Sequence, residues 1–169
     1  NRREMALAVC CRMFRHRLGN FTSSLFGQPR KGARACRLMK LLDHISITVR
    51  DLSASKPFYK AIFRALGAVV AYEREDAIGF GERNSPDDNA HTYLSVFQSG
   101  EASSDQRRHW CFRANSEEQV RSFHATGLVT GGTDDGKPGL RAYHSGYFAA
   151  FLMDPEGNKI EAVFHQGGA

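Results

Sequence analysis

The chain has 169 residues, 41% hydrophobic and 11% aromatic, with a formal net charge of +5. That length suits one domain or two small modules sharing a core, and no apolar run approaches the roughly 20 residues of a membrane-spanning helix. The charge is unevenly spread: residues 1–38 hold nine Arg/Lys against one acid, whereas the rest holds fourteen bases and seventeen acids. The mildly acidic body therefore argues against nucleic-acid binding.

Residues 1–38 are Arg-rich and acid-poor with scattered Ser, Gly and Cys. They read as upstream sequence or a disordered basic leader, with an organelle transit peptide or a basic arm as alternatives. Met39, like Met5, is a plausible initiator. Cys10, Cys11 and Cys36 lie in this head, leaving Cys111 alone in the body. A lone cysteine forms no intradomain disulfide, which fits a reducing, cytoplasmic setting.

From Leu41 the pattern becomes regular. Ile45, Ile47 and Val49 alternate with His44, Ser46 and Thr48, which predicts a strand. Asp51 or Ser53 caps a helix running to about Leu66, with Phe58, Ile62 and Leu66 on one stripe and Gly67 as its stop. Val69–Glu75 and Ile78–Arg83 read as a hairpin turned at Asp76, followed by a polar loop over Asn84–Ala90. Thr92–Gln98 is a further strand, with Tyr93, Ser95 and Phe97 on one face and Leu94 and Val96 on the other. After a polar linker the order restarts. His109–Ala114 is a strand, and Ser116 with Gln119 forms a capping box for a helix carrying Val120, Phe123 and His124. Gly127 is expected to close that helix, Leu128–Thr130 to begin a strand, and Gly131–Gly146 to form a long loop. The segment from Tyr147 to Phe164 reads as two strands joined by a turn in which Pro155 sets φ and Gly157 supplies positive φ.

Strand, helix and three strands thus occur twice, over about 41–98 and 109–165. Three consecutive strands after each helix imply an α+β fold: paired βαβββ modules forming a cupped, mostly antiparallel sheet with the helices on its outer face. The apolar row of each leading strand must face its helix, which puts His44 and His109 on the inner wall of the cup. Glu161 lies on the polar row of the last strand by the same alternation. Two imidazoles and a carboxylate suit a divalent first-row metal with open positions. Cys111 shares the inner face with His109 and is read as a small filler rather than a nucleophile.

The stretch Asp43-His44-Ile45-Ser46-Ile47-Thr48-Val49 with its Phe58-Tyr59 helix, and the closing Asp154-Pro155-Glu156-Gly157-Asn158-Lys159-Ile160-Glu161, resemble the vicinal oxygen chelate superfamily. That group includes glyoxalase I, bleomycin-resistance proteins and extradiol dioxygenases, and the resemblance covers residues 40–166. It implies a divalent metal (Zn, Ni, Mn, Co or Fe) held by His44, His109 and Glu161, with Glu161 also as the catalytic base. It also implies a small-molecule substrate bound through two adjacent oxygens, and a homodimer. Tyr93, Ser95, Arg141 and Tyr143 are the expected substrate contacts, and His144 a proton carrier. Glyoxalase I-like members place a further carboxylate on the fourth strand, where this chain has Tyr93, Ser95 and Phe97. The resemblance therefore implies a glyoxalase-like lyase or isomerase, with an extradiol-type dioxygenase or a metal-free ligand-binding protein as alternatives.

Overall fold

A computed structural model of the chain describes residues 41–105 and 107–167. The expectations for the basic leader fall outside the described residues. Ten elements follow in order: β1 (His44–Val49), α1 (Leu52–Ala65), β2 (Val70–Glu73), β3 (Ala77–Gly81), β4 (Tyr93–Gln98), β5 (His109–Arg113), α2 (Glu117–Val129), β6 (Thr133–Leu140), β7 (Tyr147–Met153) and β8 (Lys159–His165). The βαβββ repeat is present twice. Each module forms its own four-stranded sheet, ordered β1-β4-β3-β2 and β5-β8-β7-β6. Each is antiparallel except where its first strand pairs in parallel with its last, His44 beside Tyr93 and Cys111 beside Glu161.

Local chemistry sets the helix ends. The Asp51 side chain accepts the Ala54 amide to open α1. At its far end Gly67, at φ +83°, lets its own amide reach Arg64 and that of Ala68 reach Phe63, closing the helix with a left-handed residue. Ser116 opens α2 by accepting the Gln119 amide, and Gln119 accepts the amide of Asn115, one residue before the cap.

The second module departs from expectation at one glycine. Gly127 lies inside α2, which runs on to Val129, so Leu128–Thr130 begins no strand. A Cβ at Gly127 would overlap Leu152 and come within 3.2 Å of Ile62 and Phe58. The glycine is there to let α2 settle onto α1 and β7, which sequence spacing does not distinguish from a helix stop. The expected loop over Gly131–Gly146 contains β6, an edge strand with register shifts around Gly136. Its Pro138 is tolerated because an edge strand has one side without ladder partners.

Both helices sit on one core. Phe58, Ile62, Val120, Phe123, Leu152 and Ile160 are fully buried in a single cluster, and the Phe63 ring meets Phe112 of β5 edge-on at 4.9 Å. The closing turn joins the modules. The Asp154 carboxylate accepts the Tyr59 hydroxyl at 2.6 Å, the amides of Glu156 and Asn158, and the Asn158 side-chain amide. Glu156 accepts the Asp51 amide and Arg50 Nε. Burial works to raise the Glu156 carboxyl, and these two donors outweigh it and hold the group below its ordinary range. Among the described residues no helix is long and apolar enough to cross a membrane.

Candidate functional site

The face of each sheet turned away from the helices carries a polar cluster. On the second sheet the residues are His109 and Cys111 of β5, Tyr147 of β7 and Glu161 of β8. Glu161 is 2% exposed although it is a carboxylate in mid-strand. Its Oε1 accepts the Tyr147 hydroxyl at 2.7 Å, and its Oε2 lies 3.4 Å from His109 Nε2. Burial first, and then donation to Glu161, raises the Tyr147 phenol well above its ordinary value. Cys111 is exposed as a residue, but its sulfur turns to Tyr147 and Glu161. Desolvation of the sulfur, reinforced by the Glu161 charge, pushes the thiol up to about 12. A thiol held that high carries little thiolate at neutral pH.

An aromatic corner closes this cluster on one side. The Tyr147 ring packs edge-on against Tyr143, His144 and His165 at 5.0 to 5.2 Å, and His144 stacks on His165 at 5.1 Å. Arg141 is occupied otherwise. Its guanidinium donates to the carbonyls of Lys137 and Ala149 and covers the Phe151 ring, bracing the β6–β7 connection. Tyr143 remains 70% exposed at the rim.

The first sheet holds His44, whose Nδ1 lies 2.8 Å from Asp43 Oδ1. Asp43 is also held by the Asn84 side-chain amide, and with His44 this keeps its carboxyl below the ordinary range. The parallel register sets Tyr93 beside His44. The Tyr93 hydroxyl accepts Arg83 Nη2 at 3.0 Å. Burial works to raise the Tyr93 phenol; hydrogen bonding with Ser95, Arg83 and Tyr72 outweighs it and leaves the phenol below its usual value. Asp43, His44, Arg83, Asn84 and Tyr93 line an open pocket of about 370 Å³. Ser95 is buried one residue pair deeper, whereas Phe97, expected on the same inner row, is partly exposed at the strand end.

The structure brings His109 and Glu161 together and places His44 in the other cluster. The cause is strand direction. Ile45 shares a cavity with Cys111, Phe112 and Arg113, whereas Ser46, Ile47 and Thr48 share one with Arg108 and Trp110. β1 and β5 therefore pass in opposite directions, and the two leading histidines fall at opposite ends of the seam. Among the described residues no group of three His, Cys, Asp or Glu side chains is placed to hold a metal ion. The pair alone fits: donors about 2.1 Å from one ion stand about 3.0 to 3.4 Å apart at octahedral to tetrahedral angles, and His109 and Glu161 are 3.4 Å apart.

Sequence reasoning missed Tyr147, Asp43, Asn84 and Arg83 as parts of these clusters. The alternation of β7 did carry the signal for Tyr147, since it pairs with His165 and shares the row of Phe151, the partner of Glu161. Arg83 and Asn84 lie just beyond β3 and had no periodicity to place them.

With this geometry in hand, comparison with known proteins is direct. The model of the Glyoxalase/Bleomycin resistance protein/Dioxygenase superfamily matches residues 41–162, and the chain belongs to that superfamily. It is similar to the solved structure of a glyoxalase/bleomycin resistance protein from Albidiferax ferrireducens, at 30% identity and a TM-score of 0.59, covering 72% of this chain and 96% of that one. A glyoxalase-family structure from Bacillus halodurans matches at 23% identity and a TM-score of 0.56, covering 73% and 95%. The structure of the oxidase ChaP-H2 matches at 22% identity and a TM-score of 0.50, covering 78% and 98%. No curated protein matches the chain.

Proposed function

We propose that the chain is a metal-dependent lyase or isomerase of this superfamily, acting on a small substrate with two adjacent oxygens, and that its site is completed between two copies. The observation that supports this is the His109–Glu161 pair, a buried carboxylate oriented by Tyr147 and set at ligand spacing from an imidazole. His44 of a second copy would supply the third donor, since this copy's own His44 lies in the other cluster beside Asp43 and Tyr93. A divalent ion held there would supply the positive charge that stabilises an oxyanion on the substrate. The remaining work belongs to side chains. Glu161 would take a proton from the carbon beside the two substrate oxygens and return it to the substrate, Tyr147 would hold its Oε1 in place, and Tyr143, with Tyr93 and Ser95 of the copy that supplies His44, would meet the substrate. The two-imidazole, one-carboxylate donor set also supports a second reading, an iron-dependent dioxygenase.

Metal analysis of the full chain purified without chelator tests this. Stoichiometric Zn, Ni, Mn or Co, lost on His109→Ala with unchanged circular dichroism, is the expected result. Iron with oxygen uptake would favour the dioxygenase. Full metal occupancy in the His109→Ala variant would overturn the site, and an empty site with tight ligand binding would make the chain a sequestering protein.

A further inference from the structure

The pocket beside His44 contains a cation that the reaction above does not use. The Arg83 guanidinium lies 4.7 Å from the centre of the Tyr93 ring and 5.6 Å from that of Tyr72. The two rings stand 6.1 Å apart, tilted by 31°. This platform depends on Gly79 of β3: a Cβ there would overlap the Tyr72 ring and come within 2.7 Å of the Tyr93 hydroxyl. Because Gly79 is bare, Tyr72 lies down against the sheet and the two rings together seat the guanidinium. A guanidinium offers five N–H donors, and among the described residues its only hydrogen-bond partner is the Tyr93 hydroxyl. No carboxylate of the described residues lies within ion-pair distance of it. Asp43 lines the same pocket but is committed to His44 and Asn84.

We propose that Arg83, seated on Tyr72 and Tyr93, is the anion anchor of the His44 pocket and selects substrates bearing a single carboxylate. A planar fork held on aromatic faces presents paired N–H groups to a planar anion, the geometry in which arginine binds carboxylates in a bidentate manner. Arg74 also stacks on Tyr72, at 5.1 Å, but does not line the pocket; among the described residues Arg83 is the one arginine or lysine of its lining, and the Asp43 charge faces the same pocket, so a monoanion fits better than a phosphate dianion. A pocket of about 370 Å³ holds a small molecule. Because His44 lines the same pocket, a carboxylate fixed on Arg83 keeps its substituent within reach of that histidine, which rests on the substrate reading above and narrows it to small acids.

The test is an NMR titration of the isotope-labelled full chain with metal removed by chelator. The probes are lactate, its neutral amide lactamide, and inorganic phosphate. Lactate is expected to shift the Arg83 side-chain Nε–H and the Tyr93 amide saturably, with lactamide weaker by about tenfold or more, the scale of a lost charged hydrogen bond. Arg83→Gln should weaken lactate by a similar factor and leave lactamide unchanged, with resonances of the second sheet unmoved as the control for folding. Equal binding of lactate and lactamide, unchanged affinity in Arg83→Gln, tighter binding of phosphate than of lactate, or no saturable shift would each overturn the proposal. Because no metal is present, loss of the metal reading at His109 leaves this result standing, and the reverse also holds.

Discussion

The Tyr59–Asp154 contact is the most informative place to perturb the fold. Tyr59 is fully buried and Asp154 is 3% exposed, and they join the helix of the first module to the closing turn of the second. Removing the carboxylate in Asp154→Ala strands the Tyr59 hydroxyl, which costs about 1 to 3 kcal/mol. It also releases two turn amides and the Asn158 side chain, for a total of about 3 to 5 kcal/mol. Tyr59→Phe removes one donor of four and should cost about 1 to 2 kcal/mol. In the double variant no hydroxyl is stranded, so its cost should fall short of the sum by about 1 to 3 kcal/mol. Urea unfolding followed by circular dichroism and by the single tryptophan, Trp110, measures all four corners of the cycle. Additive costs would refute the latch and reduce the turn to a local feature.

Three further outcomes are expected. Gly127→Ala should destabilise by about 1 to 3 kcal/mol through overpacking against Leu152, although helix propensity alone favours it by about 1 kcal/mol; an unchanged or raised thermal midpoint would contradict the packing account. Cys111, with its thiol pushed up to about 12, should be alkylated by iodoacetamide tens of times more slowly than a free thiol at pH 8, and its rate should keep climbing above pH 10. Peptide mapping separates it from Cys10, Cys11 and Cys36, and an ordinary rate would show an unshifted thiol. Tyr147→Phe frees Glu161 Oε1 and should weaken metal retention by about 10- to 100-fold, read by competition with a chromophoric chelator; unchanged affinity would remove Tyr147 from the site.

Much of this arrangement was legible in residue order. Alternation in β1 and β5 fixed which face His44 and His109 occupy, and the Asp154–Asn158 turn formed as its Pro and Gly require, with Gly157 at φ +85°. Gly127 misled because a glycine near a helix end has the same local signature whether it stops the helix or admits a neighbour. β6 was hidden for a related reason. Its pairing with β7 is tertiary, and Thr133–Leu140 contains the Gly, Asp and Pro of a loop. The expected metal set of His44, His109 and Glu161 shows a further limit. Periodicity assigns a residue to a face but carries no information about how far apart two strands place their residues. The opposed course of β1 and β5 separates two histidines that occupy equivalent slots in their modules. Arg83 lies beyond the end of β3, where no alternation places it, and Tyr147, though its row in β7 was legible, meets Glu161 only through the pairing of β7 with β8.

The central claim is that each complete site draws His44 from one copy and His109 with Glu161 from another. Mixing the His44→Ala and His109→Ala variants under conditions that exchange subunits, then measuring bound metal, tests it most directly. Each variant alone should retain none, whereas the mixed dimer should regain one intact site of its two. Absence of metal from the exchanged mixture, or full metal in either variant alone, would contradict it.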